Sequence, residues 1–87
     1  MDDNFEQCLS LIKASGLEFK PYPKTGLINV TDVDGVIQSY YTTTRTAIFR
    51  DGNNRFKSQK HTEYNMALQR FIDLCNGTED IIETFFD

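Results

Sequence analysis

Apolar residues recur with a helical period near both ends of the chain and with a period of two between them. The spacing i, i+3, i+4, i+7 is occupied near the N-terminus by Phe5, Cys8, Leu9 and Ile12. A later segment repeats this spacing with Leu68, Phe71, Ile72 and Cys75. Such spacing collects apolar side chains on one face of a helix. We therefore expect two amphipathic helices that share one core.

The expected helix ends are marked by residues that favour caps and stops. Gly16 and Gly77 are expected to end the two helices, because glycine adopts the left-handed conformation without a steric cost. Thr62 or Asn65 is expected to cap the second helix. A short third helix is predicted over "TEDIIETFF", with Thr78 as its cap.

The middle of the chain has the alternation of β-strands. The segments "LEFKPY", "LINVTDV", "VIQSYY", "TAIF" and "RFKSQKH" alternate or run apolar, and turn residues separate most of them. "PKTG" predicts a hairpin turn with Gly26 at positive φ, and Asp34 with Gly35 predicts a tight two-residue hairpin. A looser turn is expected at residues 51–54. The pattern indicates an antiparallel meander whose apolar face is covered by the helices.

These elements predict a single α+β domain over residues 1–87. We expect an N-terminal helix, an antiparallel β-meander of three to five strands, a C-terminal helix and a short terminal helix. The chain has 87 residues, of which 39% are hydrophobic and 25% charged, as is usual for a globular domain with one small core. No apolar run is long enough to span a bilayer.

One turn phrase occurs twice. Residues 22–27 read "YPKTGL" and residues 41–46 read "YTTTRT", each with an apolar strand after it. If the second copy makes the same turn, Arg45 takes the place of Gly26 and adopts a left-handed conformation at a cost of about 1 kcal/mol. Folding alone rarely selects arginine there, so Arg45 is a candidate binding residue.

The phrase "QSYYTTTRTAIF" resembles one found in small phage and prophage open reading frames, approximately Tyr-Tyr-Pro-Thr-Thr-Gly-Thr followed by an apolar strand. The chain departs from it with Thr42 for proline and Arg45 for glycine. The resemblance implies a phage or mobile-element origin. It implies no activity, because most such proteins have no assigned function, and it transfers no site residues.

Candidate catalytic groups are few. "LINVTDVDGVI" resembles the start of haloacid-dehalogenase phosphatases, in which the equivalents of Asp32 and Asp34 would act, but a strand and not a helix is expected after this loop. His61 is the only histidine and has no partner at a motif spacing. Cys8 and Cys75 occupy apolar helix positions and are expected to be reduced, buried thiols. We therefore expect a protein that is not an enzyme and has no metal or cofactor.

Charge is distributed unevenly along the chain, whose net charge is −4. Residues 38–70 carry six basic and two acidic side chains, whereas residues 71–87 carry five acidic ones and no basic one. Basic and aromatic side chains on one β-surface are typical of single-strand nucleic-acid binding. The predicted contact residues are Tyr40, Tyr41, Arg45, Arg50, Arg55, Lys57 and Lys60. A structural interpretation stays open, in which the charges protect a sheet edge and the rings, with Phe49 and Phe56, face the core.

The acidic C-terminal segment suggests a different partner. Acidic residues alternate there with Ile81, Ile82, Phe85 and Phe86, so the segment packs on its own domain or is presented to another protein. The leading hypothesis is a small phage-type binding protein that contacts nucleic acid. The alternative is an inhibitor of a host protein, of the anti-defence or anti-CRISPR type. We expect a cytoplasmic monomer or homodimer with no membrane contact.

Overall fold

A computed structural model describes residues 3–52 and 59–86, without the side chain of Asp3. Its elements confirm the predicted α+β class. In chain order they are α1 (Asp3–Ser15), β1 (Glu18–Tyr22), β2 (Leu27–Thr31), β3 (Ile37–Tyr41), β4 (Thr46–Arg50), β5 (Lys60–Glu63), α2 (Leu68–Cys75) and a terminal π-helix, α3 (Ile82–Phe86). None of the helices in the described ranges is long and apolar enough to cross a bilayer.

The five strands form one antiparallel sheet in the order β1-β2-β3-β4-β5, as expected for a meander. Because side chains alternate across a strand, the register divides the sheet into two faces. One face carries the apolar alternation predicted from the sequence, and it contributes Ile28, Val30, Tyr40, Ala47 and Phe49 to the core. The fifth strand runs two residues past the predicted end at His61, and residues 55–58 of the predicted strand lie outside the described ranges.

The helices cover this apolar face. Phe5, Ile12, Phe71 and Ile72 belong to the buried core, and Leu9 and Leu68 pack against it at its margin. The ring of Phe71 lies 5.0 Å from that of Tyr40 and 5.6 Å from that of Phe49, measured between centroids. The expectation of one core shared by both helices is confirmed.

The helix stops were predicted correctly, but two caps were not. Gly16 follows α1 directly and Gly77 follows the C-cap of α2, Asn76, and their φ values are 84° and 83°. The N-cap of α2 is Ala67, which makes no side-chain cap hydrogen bond, so neither Thr62 nor Asn65 caps this helix. Burial of the apolar face of α2 stabilises its start instead.

The terminal segment is capped two residues later than expected and packs on its own domain. Asp80, not Thr78, accepts backbone hydrogen bonds through Oδ1, from the amides of Ile82 at 2.9 Å and Glu83 at 3.4 Å. Phe85 stacks on Phe49 at 4.8 Å. The segment therefore extends the hydrophobic core.

The β2–β3 loop is one residue longer than predicted. The amide of Asp32 donates to the carbonyl of Val36 at 2.8 Å, which leaves three residues between them, and Gly35 has a φ of 83°. The carboxylate of Asp32 favours this longer loop, because its Oδ1 accepts hydrogen bonds from the amides of Asp34 and Val36.

The repeated phrase does form the same turn twice. Gly26 and Arg45 occupy equivalent positions, with φ values of 73° and 56°. The replacement of proline by Thr42 also has a structural reason, because the Thr42 amide donates to the carbonyl of Gly26 at 2.9 Å. Proline has no amide hydrogen for this bond, which ties the two turns together.

Candidate functional site

The sheet face opposite the helices is exposed to solvent in the described ranges. We call it the open face. Its side chains, in strand order, are those of Glu18, Lys20, Tyr22, Leu27, Asn29, Thr31, Ile37, Ser39, Tyr41, Thr46, Ile48, Arg50, Lys60 and Thr62. Most are exposed or half-buried, and Ile37 retains 51% of its accessible surface. An uncovered sheet of mixed polar and apolar character is a surface available to a ligand.

The register aligns the open-face residues in rows across the strands. One row runs from Tyr22 through Leu27 and Tyr41 to Thr46. The next contains Lys20, Asn29, Ser39, Ile48 and Thr62. The first row thus presents two tyrosine rings, and the second is mainly polar.

Cations dominate the charge of this face although the whole chain is acidic. Lys20 lies on β1, and Arg50 is the direct cross-strand partner of Lys60. Among the described residues of the face, Glu18 carries the one negative charge. Arg50 and Lys60 were predicted from the sequence, whereas Lys20 was not.

Arg50 is held in place by the sheet. Its Nη1 donates to the carbonyl of Ile37 at 2.9 Å and to the hydroxyl of Ser39 at 3.0 Å. On the other side of the strand, the buried amide of Gln38 pairs with the Arg50 backbone, accepting from its amide at 2.6 Å and donating to its carbonyl at 3.0 Å. The guanidinium is therefore preorganised at the surface, and its remaining N–H groups keep their capacity to donate.

A groove lies at the β1–β3 side of the open face. Its volume is about 340 Å³, and it is lined by Glu18, Phe19, Lys20, Tyr22, Asn29, Thr31 and Ile37. The ammonium of Lys20 lies 5.7 Å from the centroid of the Tyr22 ring. The groove combines an aromatic ring, a cation and amide and hydroxyl groups, within the size range of small-ligand sites, about 300–1,000 Å³.

The structure separates the residues that the sequence suggested as one surface. Tyr41, Arg50 and Lys60 lie on the open face. Tyr40 lies on the opposite face, is 2% exposed and donates its hydroxyl to the carbonyl of Met66 at 2.7 Å. Burial raises the pKa of this phenol. The prediction of Tyr40 as a contact residue is therefore wrong, because strand alternation turns it into the core.

Arg45 lies away from the open face. Its backbone carbonyl accepts a hydrogen bond from the Met66 amide at 2.8 Å, and the residue lines a cavity of about 160 Å³ beside α1. The other lining residues are Asn4, Gln7, Cys8, Leu11, Tyr40, Thr42 and Leu68. Arg45 therefore does not form one contact surface with Arg50 and Lys60. The predicted residues Arg55 and Lys57 lie outside the described ranges, as does Phe56.

The left-handed backbone of Arg45 gives a stability prediction. Arg45→Gly should raise the free energy of unfolding by up to about 1 kcal/mol, because glycine removes the Cβ strain but adds freedom to the unfolded chain. Asn65, with a φ of 58°, is the matched control, since asparagine tolerates this conformation. Urea titration should show a smaller gain for Asn65→Gly than for Arg45→Gly. Destabilisation by Arg45→Gly would mean that the arginine side chain contributes more than its backbone costs.

The other candidate groups have structural roles. Asp32 is 7% exposed, and its carboxylate accepts hydrogen bonds from two amides and from Gln38. Burial raises the pKa of the Cys75 thiol, which suits a core residue. His61 stacks on Phe85 with a centroid distance of 4.3 Å. Across the described ranges, no cluster of three histidine, cysteine or carboxylate side chains is suited to hold a metal ion.

The residues missed by sequence reasoning are Lys20, Tyr22 and Asn29. They occupy positions that alternate with the apolar residues of β1 and β2, so strand alternation could have placed them on the solvent face. The chain was compared with protein-family models, curated proteins and solved structures, and none of them matches it.

Proposed function

We propose that this protein binds single-stranded nucleic acid on the open face. The observation that carries the proposal is the combination of two tyrosine rings in one row of the sheet with cations on β1, β4 and β5. Rings stack on bases, and cations contact phosphates. The contact residues are Lys20, Tyr22, Tyr41, Arg50 and Lys60, of which three coincide with the residues predicted from the sequence.

Segregation of charge supports this ligand despite the net charge of −4. Asp73 and Glu79 belong to α2 and the segment after it, which packs on the opposite face of the sheet. A locally positive surface attracts a polyanion even when the whole molecule is acidic, although the attraction is weakened by salt. We therefore expect affinity that is measurable at low ionic strength and falls steeply as salt is added.

Inhibition of a host protein through the acidic C-terminus has less support. Ile81 is buried, and Phe85 stacks on both Phe49 and His61, so most of the apolar part of this segment is used within the domain, while Ile82 stays 37% exposed. A phage or mobile-element origin is consistent with either activity. It rests on the resemblance of the hairpin phrase.

Fluorescence anisotropy with a labelled mixed-sequence single strand of about 12 nucleotides tests the proposal. We expect binding at low salt, with log K falling linearly against log salt. Lys60→Ala should make that slope shallower by about 0.7, the value for one phosphate contact to a single strand. Tyr22→Ala should weaken binding at least about fivefold by removing a stacking ring.

Two matched variants test whether the change in salt slope is specific to Lys60 and whether the loss of affinity comes from the Tyr22 ring. Lys13→Ala removes the same charge from an exposed position on α1 and should leave the salt slope unchanged. Tyr22→Phe keeps the ring and should retain most of the affinity. Absence of binding at low salt, or equal effects of Lys60→Ala and Lys13→Ala, would refute the open face as a nucleic-acid interface.

A further inference from the structure

A chain of hydrogen bonds crosses the centre of the open face. Arg50 Nη1 donates to the Ser39 hydroxyl at 3.0 Å, and that hydroxyl lies 2.7 Å from Oδ1 of Asn29. Ser39 is only 3% exposed, so its contacts are set by the sheet and not by solvent. The chain links the cationic end of the face to the groove.

The hydrogen bonds of Ser39 orient the side-chain amide of Asn29. Arginine can only donate, so the Ser39 oxygen is the acceptor in its contact with Arg50. Ser39 donates its hydroxyl hydrogen to Oδ1 of Asn29 at 2.7 Å, which places the Nδ2 group on the other side of the amide. Nδ2 makes no hydrogen bond to any described residue, so both of its N–H groups can be donated to a ligand.

The groove places this donor beside groups that suit a nucleotide. Asn29 is the direct cross-strand partner of Lys20, whose ammonium lies over the Tyr22 ring at 5.7 Å from its centroid. The ring offers a stacking surface, and the ammonium offers a phosphate contact. The groove volume of about 340 Å³ also lies within the range of small-ligand sites.

We propose that the groove holds one base of the bound strand and that Asn29 Nδ2 donates a hydrogen bond to a carbonyl oxygen of that base. This proposal rests on the proposed function of the open face. Thymine and uracil present carbonyl oxygens on their exposed edges, whereas adenine has none, and its N6 amino group is itself a donor. The groove therefore favours carbonyl-bearing pyrimidines over adenine.

The test compares oligo-dT with oligo-dA of equal length by competition against a labelled mixed strand. The wild-type protein should prefer oligo-dT by at least about fivefold, the lower range for one specific base contact. Asn29→Asp keeps the Oδ1 acceptor for Ser39 but replaces the donor by an oxygen, so the dT:dA ratio should fall by about the same factor. Because the ratio is compared between variants, self-stacking of oligo-dA cancels.

Thr62→Asp is the control for the added charge. Thr62 lies in the same cross-strand row on β5, away from the groove, so this variant should weaken both oligomers equally and leave the ratio unchanged. Ser39→Ala tests positioning, because it frees the amide of Asn29 to rotate. It should lower the ratio while changing the affinity for oligo-dT less than Asn29→Asp does.

The outcomes distinguish this inference from the proposed function. If the wild-type protein binds both oligomers but Asn29→Asp leaves the ratio unchanged, the base contact is overturned and the nucleic-acid interface stands. If neither oligomer nor the mixed strand binds at low salt, both are overturned. A ratio that falls equally in Asn29→Asp and Thr62→Asp would assign the preference to charge and would overturn the role of Asn29.

Discussion

Replacing Phe71 by alanine is expected to remove about 3–5 kcal/mol from the free energy of unfolding. The ring is fully buried on α2 and packs between Tyr40 and Phe49, with centroid distances of 5.0 and 5.6 Å. Truncation would remove its buried apolar surface and leave a cavity at the contact between helix and sheet. Domains of this kind have a total stability of about 5–15 kcal/mol, so urea titration should show a large fall in the midpoint.

The matched control is Leu11→Ala. Leu11 also lies on a helix but is 49% exposed, so its truncation should cost less than about 1 kcal/mol. If Phe71→Ala prevents folding, Phe71→Leu should still fold and be destabilised by a smaller amount. Comparable losses for Phe71→Ala and Leu11→Ala would show that α2 does not complete the core.

Local spacing was sufficient to predict the class and order of the elements. The helical period of Phe71 and Ile72 and the alternation of Ile28 and Val30 each report one buried face, and burial is what stabilises these elements. The loop at Asp32 was less predictable, because its length depends on hydrogen bonds to a side chain. The N-cap of α2, Ala67, was not predicted because it makes no side-chain cap hydrogen bond, and packing of the helix stabilises its start instead.

The sequence predicted only some of the residues that share the open face, because membership of a face depends on strand alternation and register. Charge and aromatic content drew attention to Tyr41, Arg50 and Lys60, which the register places on one face of the sheet. Adjacency in sequence placed Tyr40 beside them, although neighbouring residues of a strand face opposite sides. Lys20 lies on β1, which is far in the sequence from the strands that carry Arg50 and Lys60. Its contribution to the same surface depends on the register of the sheet, which local composition does not report.

The second large effect is expected at Asp32, where alanine should cost about 2–4 kcal/mol. The buried carboxylate accepts hydrogen bonds from the amides of Asp34 and Val36 and from Nε2 of Gln38, at 3.0, 2.9 and 3.0 Å. Alanine would leave the buried Nε2 group of Gln38 without this acceptor, at a cost of about 1–3 kcal/mol. The two loop amides are only partly buried, so the loss of each of their hydrogen bonds costs less, about 0.5–1.5 kcal/mol. Gln38 is fully buried and also bonds the backbone of Arg50, so the loss should extend from the β2–β3 loop into β4.

Asp34→Ala provides the control for this effect, since Asp34 is exposed in the same loop and its removal makes the same change in charge. It should alter the free energy of unfolding by less than about 0.5 kcal/mol. Asp32→Asn is a milder variant: its retained oxygen can still accept from the loop amides, but its amide nitrogen faces the Nε2 donor of Gln38. Urea titration should therefore rank the losses as Asp32→Ala greatest, Asp32→Asn intermediate and Asp34→Ala least. Equal losses for the two alanine variants would assign the effect to charge and would contradict the role of Asp32 as the acceptor that joins the loop to the sheet.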